Sequence, residues 1–255
     1  MNTLQAKPFN ILLIGDDCLD VYQFGTVDRI SPEAPVPVFN FCREEHRPGM
    51  AGNVLTNLQA LGCRVEFLHG DTSPKTRLID TRSKQHIVRI DKDAECSPIE
   101  FVTAIPPLYD AVVISDYNKG TVTYDLIQEV RQGFHGPVFV DTKKTDLAQL
   151  EGCIVKINKL EHSRVISECS DLIVTLGDRG ATWNDIHFTA KKVDVADVCG
   201  AGDTFLASLC YKYLESNGDM VTAINFAIRA SAIAVQHLGV YAPRSEEHTS
   251  ELQSH

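Results

Sequence analysis

A short glycine-rich segment with a carboxylate directly behind it stands near the end of the chain, where residues 197–205 read Asp-Val-Cys-Gly-Ala-Gly-Asp-Thr-Phe. The apolar residues that follow recur at helical spacing, so residues 200–203 are predicted to lead into a helix. The first N–H groups of a helix are unpaired and suit a phosphate or a developing oxyanion. Asp203 would lie in the first turn, where it can take a proton from a bound hydroxyl. The structural alternative is a tight turn in which Asp203 only caps the helix.

Other polar residues follow short apolar runs of the kind that form buried parallel strands. Residues 11–14 run into Asp16, Asp17 and Asp20, and later runs end in segments that hold Lys119, Lys143, Asn158, Glu161, Thr175, Gly177 and Gly180. Because the carboxyl ends of parallel strands meet at one edge of a sheet, these groups are expected to converge there. Two alternatives stay open: the carboxylates near the first strand cap a turn, and residues 175–180 form a hairpin turn instead of a nucleotide-binding loop.

This set of residue types suits phosphoryl transfer, which mainly needs positioning, cations at the phosphates, anion-binding backbone and a base for the acceptor. The sequence contains no Gly-x-x-x-x-Gly-Lys-Ser/Thr motif, which excludes a P-loop enzyme. It also lacks Gly-x-Ser-x-Gly and His-Glu-x-x-His, which disfavours a serine hydrolase or a zinc protease.

The elements that must position these residues alternate along the chain as strand, polar turn and helix. This order predicts an α/β fold with a doubly wound, mainly parallel sheet. Two helices, over residues 204–214 and 220–237, are expected to close it. A proline-rich ribbon and a hairpin of residues 76–80 with 86–90 do not fit the parallel pattern. We expect them to form a small β lid over the functional edge, from segments of about residues 21–44 and 74–92.

Composition and charge narrow the class of protein. Hydrophobic residues make up 44% and charged residues 23% of the chain, as in a globular domain, and the net charge of −10 argues against nucleic-acid or membrane partners. The eight cysteines are scattered and show no metal-ligand spacing with histidine, which favours reduced thiols and a cytoplasmic location. The polar amino-terminal residues and the absence of a membrane-length apolar run predict neither a secretory signal nor a membrane anchor.

The last twelve residues differ from the rest of the chain. Residues 244–255 contain a single apolar residue, Leu252, and resemble the conceptual translation of a sequencing adapter. We therefore expect one domain over residues 1–243 followed by a non-native tail.

Two motifs carry a resemblance to a known family. Asp-x-x-Gly-Ala-Gly-Asp-Thr-Phe near the carboxyl end, with the Gly-Asp strand end near the amino terminus, resembles the ribokinase-like sugar kinases. Within that superfamily, Gly-Thr-Val-Asp-Arg-Ile-Ser-Pro-Glu-Ala-Pro-Val-Pro-Val at residues 25–38 is similar to the D-glycero-β-D-manno-heptose 7-phosphate kinases. The likeness extends over residues 11–239, and further positions fit it: Arg77, Gln85, Arg89, Asp91, Ser115, Asp116, Tyr117, Lys119, Gly120, Asp141, Lys143, Asn158 and Glu161.

The resemblance implies transfer of the ATP γ-phosphate to the anomeric hydroxyl of heptose 7-phosphate, a step toward ADP-heptose and the lipopolysaccharide core. Asp203 would be the base, and the N–H groups of Gly200, Ala201 and Gly202 would form the anion hole. Asn158 and Glu161 would act near Mg²⁺ and the phosphates, through water. Asp197 would bind an activating monovalent cation such as K⁺.

The same resemblance implies the acceptor contacts. Asp20 and Asn53 would hold sugar hydroxyls, and Gly49 and Gly52 would allow the sugar to come close. The candidates for phosphate contacts are Arg89, Lys119 and Lys143, for which a solvated surface position is the alternative.

Departures from the family pattern keep other functions open. Cys199 replaces the usual Thr, Met50 replaces a second Gly, and excursions after Gly70 and Glu161 are shortened. A nucleophilic role for Cys199 is conceivable because helix amino termini lower thiol pKa values. The altered sugar turn leaves room for a related sugar kinase with another acceptor, and the shortened segments leave room for a non-catalytic sugar- or nucleotide-binding protein. Exposed edges of the lid predict a homodimer.

Overall fold

Twelve strands and five helices make up the structure, a computed structural model that describes residues 8–92, 96–100, 105, 107–237, 239 and 241–243. The strands are β1 (Asn10–Gly15), β2 (Asp17–Ile30), β3 (Pro37–Met50), β4 (Arg64–His69), β5 (Ser73–Asp80), β6 (His86–Asp91), β7 (Ala111–Asp116), β8 (Val138–Thr142), β9 (Ile154–Asn158), β10 (Leu172–Thr175), β11 (Ala181–Trp183) and β12 (Ile186–Phe188). The helices are α1 (Ala51–Ala60), α2 (Tyr124–Gly133), α3 (Lys159–His162), α4 (Ala201–Glu215) and α5 (Met220–Ala234).

Eight strands form the main sheet, in the order β12-β11-β10-β9-β8-β7-β1-β4. All neighbours from β4 to β10 pair in parallel, so the polar residues after these strands share one edge. Alternate residues of β1 face opposite sides of the sheet. Ile11 and Leu13 pack with α1, α4 and α5, whereas Leu12 and Ile14 pack with α2. Helices on both faces confirm the predicted doubly wound α/β fold.

The remaining four strands form a second sheet in the order β3-β2-β5-β6. Strands β2 and β5 pair in parallel, and the other neighbours pair antiparallel. Pro32 and Pro35 lie in the connection between β2 and β3, and Pro37 is the first residue of β3, where a missing N–H is tolerated. The predicted hairpin is present as β5 and β6, although β5 begins three residues earlier, at Ser73.

Residues 47–53 run from a strand directly into a helix, because β3 continues to Met50 and α1 begins at Ala51. The ribbon and hairpin are not the only departures from the parallel pattern. Strands β11 and β12 also pair antiparallel, at the edge of the main sheet.

Across the ranges that the structure describes, no helix is long and apolar enough to cross a membrane. The tail predicted at residues 244–255 lies outside the described residues.

Candidate active site

The first turn of α4 brings a carboxylate together with the N–H groups at the amino terminus of the helix, of which that of Ala201 donates to the Val198 carbonyl over 3.3 Å. Gly200 precedes the helix with φ 78°, a conformation that favours glycine, and the chain enters the helix at Ala201. Asp203 lies in the first turn and is 5% exposed. The predicted glycine turn is therefore the entry to a helix, with the carboxylate beside an end that attracts anions.

Two side chains from other elements hold the Asp203 carboxylate. Asn53 of α1 donates from Nδ2 to Oδ2 over 2.8 Å, and Tyr117, in the loop after β7, donates from its hydroxyl to Oδ1 over 2.7 Å. Burial raises the pKa of Asp203 to about 6, although the hydrogen bonds from Asn53 and Tyr117 act to lower it. A carboxylate with this pKa is ionised at neutral pH yet basic enough to accept a proton.

A second carboxylate fixes the loop that carries Tyr117. Asp16, at the end of β1, accepts the N–H groups of Tyr117 over 2.7 Å and Lys119 over 3.2 Å. Burial and the nearby Asp203 charge raise the pKa of Tyr117 well above its ordinary value, so its hydroxyl stays a donor. Asp16 thus positions Tyr117, and Tyr117 in turn positions Asp203.

Lys156 is a site residue that sequence reasoning missed. It lies on β9, is 3% exposed, and its ammonium group is 2.7 Å from Oδ2 of Asp141. A Cβ atom on Gly202 would lie 2.9 Å from Lys156 Nζ, so glycine at this position leaves room for the Lys156 ammonium group. Burial opposes the charge on Lys156, but Asp141 outweighs it and raises the pKa. A lysine in the otherwise apolar run Ile-Val-Lys-Ile was the available signal.

The predicted acceptor residues meet at the start of β2. Asp20 accepts a hydrogen bond from Arg77 over 2.6 Å, and both side chains are nearly buried. A Cβ atom on Gly49 would lie 2.7 Å from Oδ2 of Asp20, so this glycine makes room for Asp20. Asn53, predicted to hold a sugar hydroxyl, contacts Asp203 directly. Arg89 is held by Asp91 through two hydrogen bonds of 2.7 and 2.6 Å.

The connection from β3 into α1 is strained. Met50 has φ 51° and ψ −129°, a conformation that side chains other than glycine rarely adopt, and it is buried. This explains why the family pattern has glycine at this position. Gly52 follows in α1, and a Cβ atom there would lie 2.8 Å from Asp17 Oδ1.

A cavity of about 480 Å³ lies beside the amino terminus of α4. Thr175, Gly177 and Gly180 line it, together with Ala201 and Gly202. Residues 177–179 form a 3-10 turn between β10 and β11. The predicted loop is therefore a hairpin connection that also lines the cavity, and its role as a nucleotide-binding loop stays a prediction.

Asn158 and Glu161 contact each other across the first turn of α3. The Asn158 side chain accepts from the Glu161 N–H over 2.9 Å, and the Glu161 carboxylate accepts from the Asn158 N–H over 2.7 Å. Both residues form a capping box, which is a structural role that their motif did not suggest. Lys143 lies close by, with its ammonium group 4.2 Å from the centre of the Tyr117 ring.

Asp197 holds the loop that leads into α4. Its two carboxylate oxygens accept the N–H groups of Cys199 over 2.9 Å and Gly239 over 3.0 Å. Burial and Asp197 raise the pKa of Cys199, which is the opposite of what a nucleophilic thiol requires. Among the described residues, no group of three or more His, Cys, Asp or Glu side chains could hold a metal ion by itself.

Comparison with known proteins agrees with this fold. The family model described as "pfkB family carbohydrate kinase" matches residues 142–247. A relative from Nitratiruptor sp. named "Bifunctional protein HldE" is 33% identical, over 94% of this chain and 64% of its own length. A relative of the same name from Aliarcobacter butzleri is 30% identical, over 99% of this chain and 67% of its own length. The chain thus spans about two thirds or less of the curated relatives' length.

Solved structures match the fold at low sequence identity. Ribokinase from Arabidopsis thaliana superimposes with a TM-score of 0.73 at 14% identity, covering 98% of this chain and 100% of that one. Ribokinase from Thermotoga maritima gives a TM-score of 0.70 at 17% identity, covering 96% and 100%. The fold is therefore ribokinase-like. The relatives further show that this chain belongs to the pfkB family of carbohydrate kinases, which are phosphotransferases with an alcohol group as acceptor.

Proposed function

We propose that this protein transfers the γ-phosphate of ATP to the anomeric hydroxyl of heptose 7-phosphate. The observation that carries the proposal is the buried carboxylate of Asp203 in the first turn of α4, held by Asn53 and Tyr117. A base must lie beside the acceptor hydroxyl and next to groups that bind the transferred phosphate. Asp203 is proposed to meet both conditions, because it lies in the first turn of α4, whose amino terminus suits an anion, and contacts Asn53, the proposed ligand of a sugar hydroxyl.

Each side of Asp203 has a proposed part in the reaction. Asp203 accepts the proton of the acceptor hydroxyl, and the N–H groups of Gly200, Ala201 and Gly202 hold the transferring phosphate. Asp20 and Asn53 hold hydroxyl groups of the sugar. Basic residues near them bind phosphate groups, with Arg89 and Lys119 on the acceptor and Lys143 on the donor.

The cavity beside α4 is the proposed site of ATP, with Thr175, Gly177 and Gly180 in its wall. The Arabidopsis thaliana ribokinase structure is described as complexed with ribose and ATP, which supports a nucleotide in a fold of this kind. Mg²⁺ is commonly held by one or two carboxylates together with substrate phosphates and water, and the half-buried carboxylate of Glu161, beside Asn158, fits that role. Bound Mg²⁺ would neutralise charge on the phosphates.

Asp197 is the proposed contact of an activating monovalent cation. Phosphofructokinase-2 from Escherichia coli, which matches this chain with a TM-score of 0.72, is described in complex with potassium. Each oxygen of the Asp197 carboxylate accepts one N–H group and keeps a further lone pair for a cation.

Two observations support heptose 7-phosphate as the acceptor. Residues 25–38 resemble the heptose 7-phosphate kinases, and the HldE relatives are 30–34% identical to this chain. Because the chain matches only part of these bifunctional proteins, we propose the kinase activity alone, for a domain of residues 1–243 with a non-native tail. A role in ADP-heptose and lipopolysaccharide precursor synthesis, and a cytoplasmic location, follow from this assignment.

The proposal is tested by measuring ADP release from Mg-ATP with heptose 7-phosphate, ribose and fructose 6-phosphate, using protein that lacks residues 244–255. Heptose 7-phosphate is expected to give the highest kcat/KM, and omission of K⁺ or Mg²⁺ to lower it. Turnover of another sugar would favour a related sugar kinase, an alternative supported by the strained Met50 beside the acceptor residues. If folded protein releases no ADP with any of the three sugars, the kinase proposal is contradicted.

A non-catalytic binding protein is the second candidate. The alignment with the Nitratiruptor relative is 302 positions long, more than the 255 residues of this chain, so the relative carries segments that this chain lacks. Binding of ATP and sugar by calorimetry, without ADP release, would favour that candidate.

A further inference from the structure

Lys75 on β5 is a buried lysine without a counter-charge in contact. It is only 9% exposed, and its ammonium group forms no hydrogen bond or ion pair with any residue in the described ranges. The other buried basic residues differ from it. Arg77 pairs with Asp20, Lys144 with Asp116 at 3.2 Å, and Lys156 with Asp141. An unpaired buried ammonium group costs stability, so its presence here points to an anion that binds from outside the protein.

The pairing of the strands places Lys75 among other cations. Lys75 lies opposite Asp20 of β2 and opposite Asp91 of β6, and Arg77, two residues on, lies opposite Arg89. Residues that are directly opposite, or two apart on one strand, project from the same face of a sheet. One face of the second sheet therefore carries Lys75, Arg77 and Arg89. By the same rule this face also carries Asp20 and Asp91, which pair with the two arginines, so three cations face two carboxylates and the charge of Lys75 is in excess.

Lys75 lies within electrostatic range of the residues around the base. Burial lowers the pKa of Lys143, and the positive charges of Lys75 and Lys119 lower it further, whereas Glu161 and Asp141 raise it. These lysines are therefore close enough to repel one another. Lys143 lies over the ring of Tyr117, whose hydroxyl donates to Asp203. An anion at Lys75 would sit on the acceptor side of Asp203, beside Asp20.

We propose that Lys75, supported by Arg77 and Arg89, binds a phosphate group that the acceptor already carries, and so selects sugar phosphates over unphosphorylated sugars. This inference rests on the proposed function and assigns the residue that determines acceptor class. The Lys75 ammonium group would bind the phosphate as a compact point charge. Arg77 and Arg89 would keep their bonds to Asp20 and Asp91 and donate further N–H groups to the phosphate. The neutral part of the sugar remains with Asp20 and Asn53.

The first test compares Lys75→Met, which keeps the length of the side chain without its charge, with Arg82→Met. Arg82 is an exposed cation in the turn of the same hairpin, paired with Asp28. Lys75→Met is expected to raise KM for the sugar phosphate about 10- to 100-fold, the scale of one charged hydrogen bond, while KM for ATP and kcat change less than about 2-fold. Arg82→Met is expected to leave all three unchanged. A rise in KM for ATP instead would overturn the proposal, because Lys75 would then serve the donor.

The second test does not depend on turnover. Calorimetry without ATP compares heptose 7-phosphate with the unphosphorylated heptose, on wild-type protein, Lys75→Met and Lys75→Arg. Wild type and Lys75→Arg are expected to prefer the phosphorylated sugar, and Lys75→Met to lose that preference. If Lys75→Met prefers the phosphorylated sugar as strongly as wild type does, the proposal is overturned. If no sugar is turned over but this pattern appears, the phosphate site stands and the kinase proposal fails.

Thermal unfolding supplies the control for folding. Because Lys75 is buried without a partner, Lys75→Met is expected to unfold at the same temperature as wild type or higher. A lower unfolding temperature would mean that the charge is already compensated within the protein, which contradicts the premise.

Discussion

At the scale of residues, the site depends on how one carboxylate is held. Asp203 is buried, accepts hydrogen bonds from Asn53 and Tyr117, and lies in the first turn of α4, whose amino terminus attracts anions. The glycines and Asp203 could be predicted from sequence, because a Gly-x-Gly-Asp segment before a helical pattern indicates a helix entry. The contact with Asn53 could not, since it joins residues 150 positions apart. It depends on how α1 packs beside α4.

The pH dependence of kcat/KM follows from the pKa of Asp203. The base must be ionised to accept a proton, so kcat/KM is expected to rise with pH, with its midpoint near the value of about 6. Tyr117→Phe removes a hydrogen bond that favours the ionised form, so its midpoint should move to higher pH. Initial rates at low acceptor concentration between pH 5 and 8 measure both. A wild-type profile that is flat over this range would show that Asp203 does not limit the rate as the base.

At the scale of elements, the second sheet is joined to the site through one buried ion pair. Arg77 of β5 and Asp20 of β2 lie on parallel neighbouring strands, and Asp20 also packs against Gly49 of β3. The ion pair thus connects three of the four strands at the point where the acceptor is proposed to bind. Loss of Arg77 would leave the buried Asp20 carboxylate without its ion pair and with the weak contact of the Cys18 thiol, 4.0 Å from Oδ1.

Removal of Arg77 is therefore expected to loosen the second sheet. Arg77→Met should cost about 3–5 kcal/mol, the scale for breaking a buried ion pair. The exposed pair of Arg82 and Asp28 provides the control, and Arg82→Met should cost less than about 1 kcal/mol. Native-state hydrogen exchange of the β2 and β5 amides measures the effect, because the second sheet can open without global unfolding. Equal protection of these amides in the two variants would contradict this role of the ion pair.

Most strands and helices could be predicted from apolar runs, and the exceptions have physical causes. Strands β11 and β12 are three residues each, too short for periodicity to identify, and are joined through Asn184 and Asp185 with positive φ. Residues 47–50 contain Pro and Gly and resemble a turn, but pairing with β2 keeps them extended. The parallel pairing of β2 with β5 joins strands that are distant in sequence, so no local pattern could predict it.

At the scale of the whole molecule, the second sheet leaves large apolar side chains exposed. Ile30, Phe41 and Ile90 are each more than half exposed. Exposed apolar strands commonly pair with another chain, so these residues support the expected homodimer through the lid.

Phe41→Ser is expected to weaken that dimer at least 10-fold in dissociation constant, measured by sedimentation. Ile166→Ser provides the control, because Ile166 is 76% exposed but lies in the loop after α3, outside the second sheet. Sedimentation of wild-type protein as a monomer at every concentration would contradict the dimer, as would equal dissociation constants for the two variants.

The central claim is that Asp203 is the base of a phosphoryl transfer to a sugar. Its most direct test is kcat for ADP release from Mg-ATP and heptose 7-phosphate at pH 8, in wild type, Asp203→Asn and Asp185→Asn. Asp185 lies in the exposed turn between β11 and β12, where Asn is tolerated, so this control should keep the wild-type rate. Burial raises the pKa of Asp203, so its charge costs stability above that pKa, and Asp203→Asn should unfold at no lower temperature. We expect kcat of this folded variant to fall about 10²- to 10⁴-fold. An unchanged kcat would contradict it.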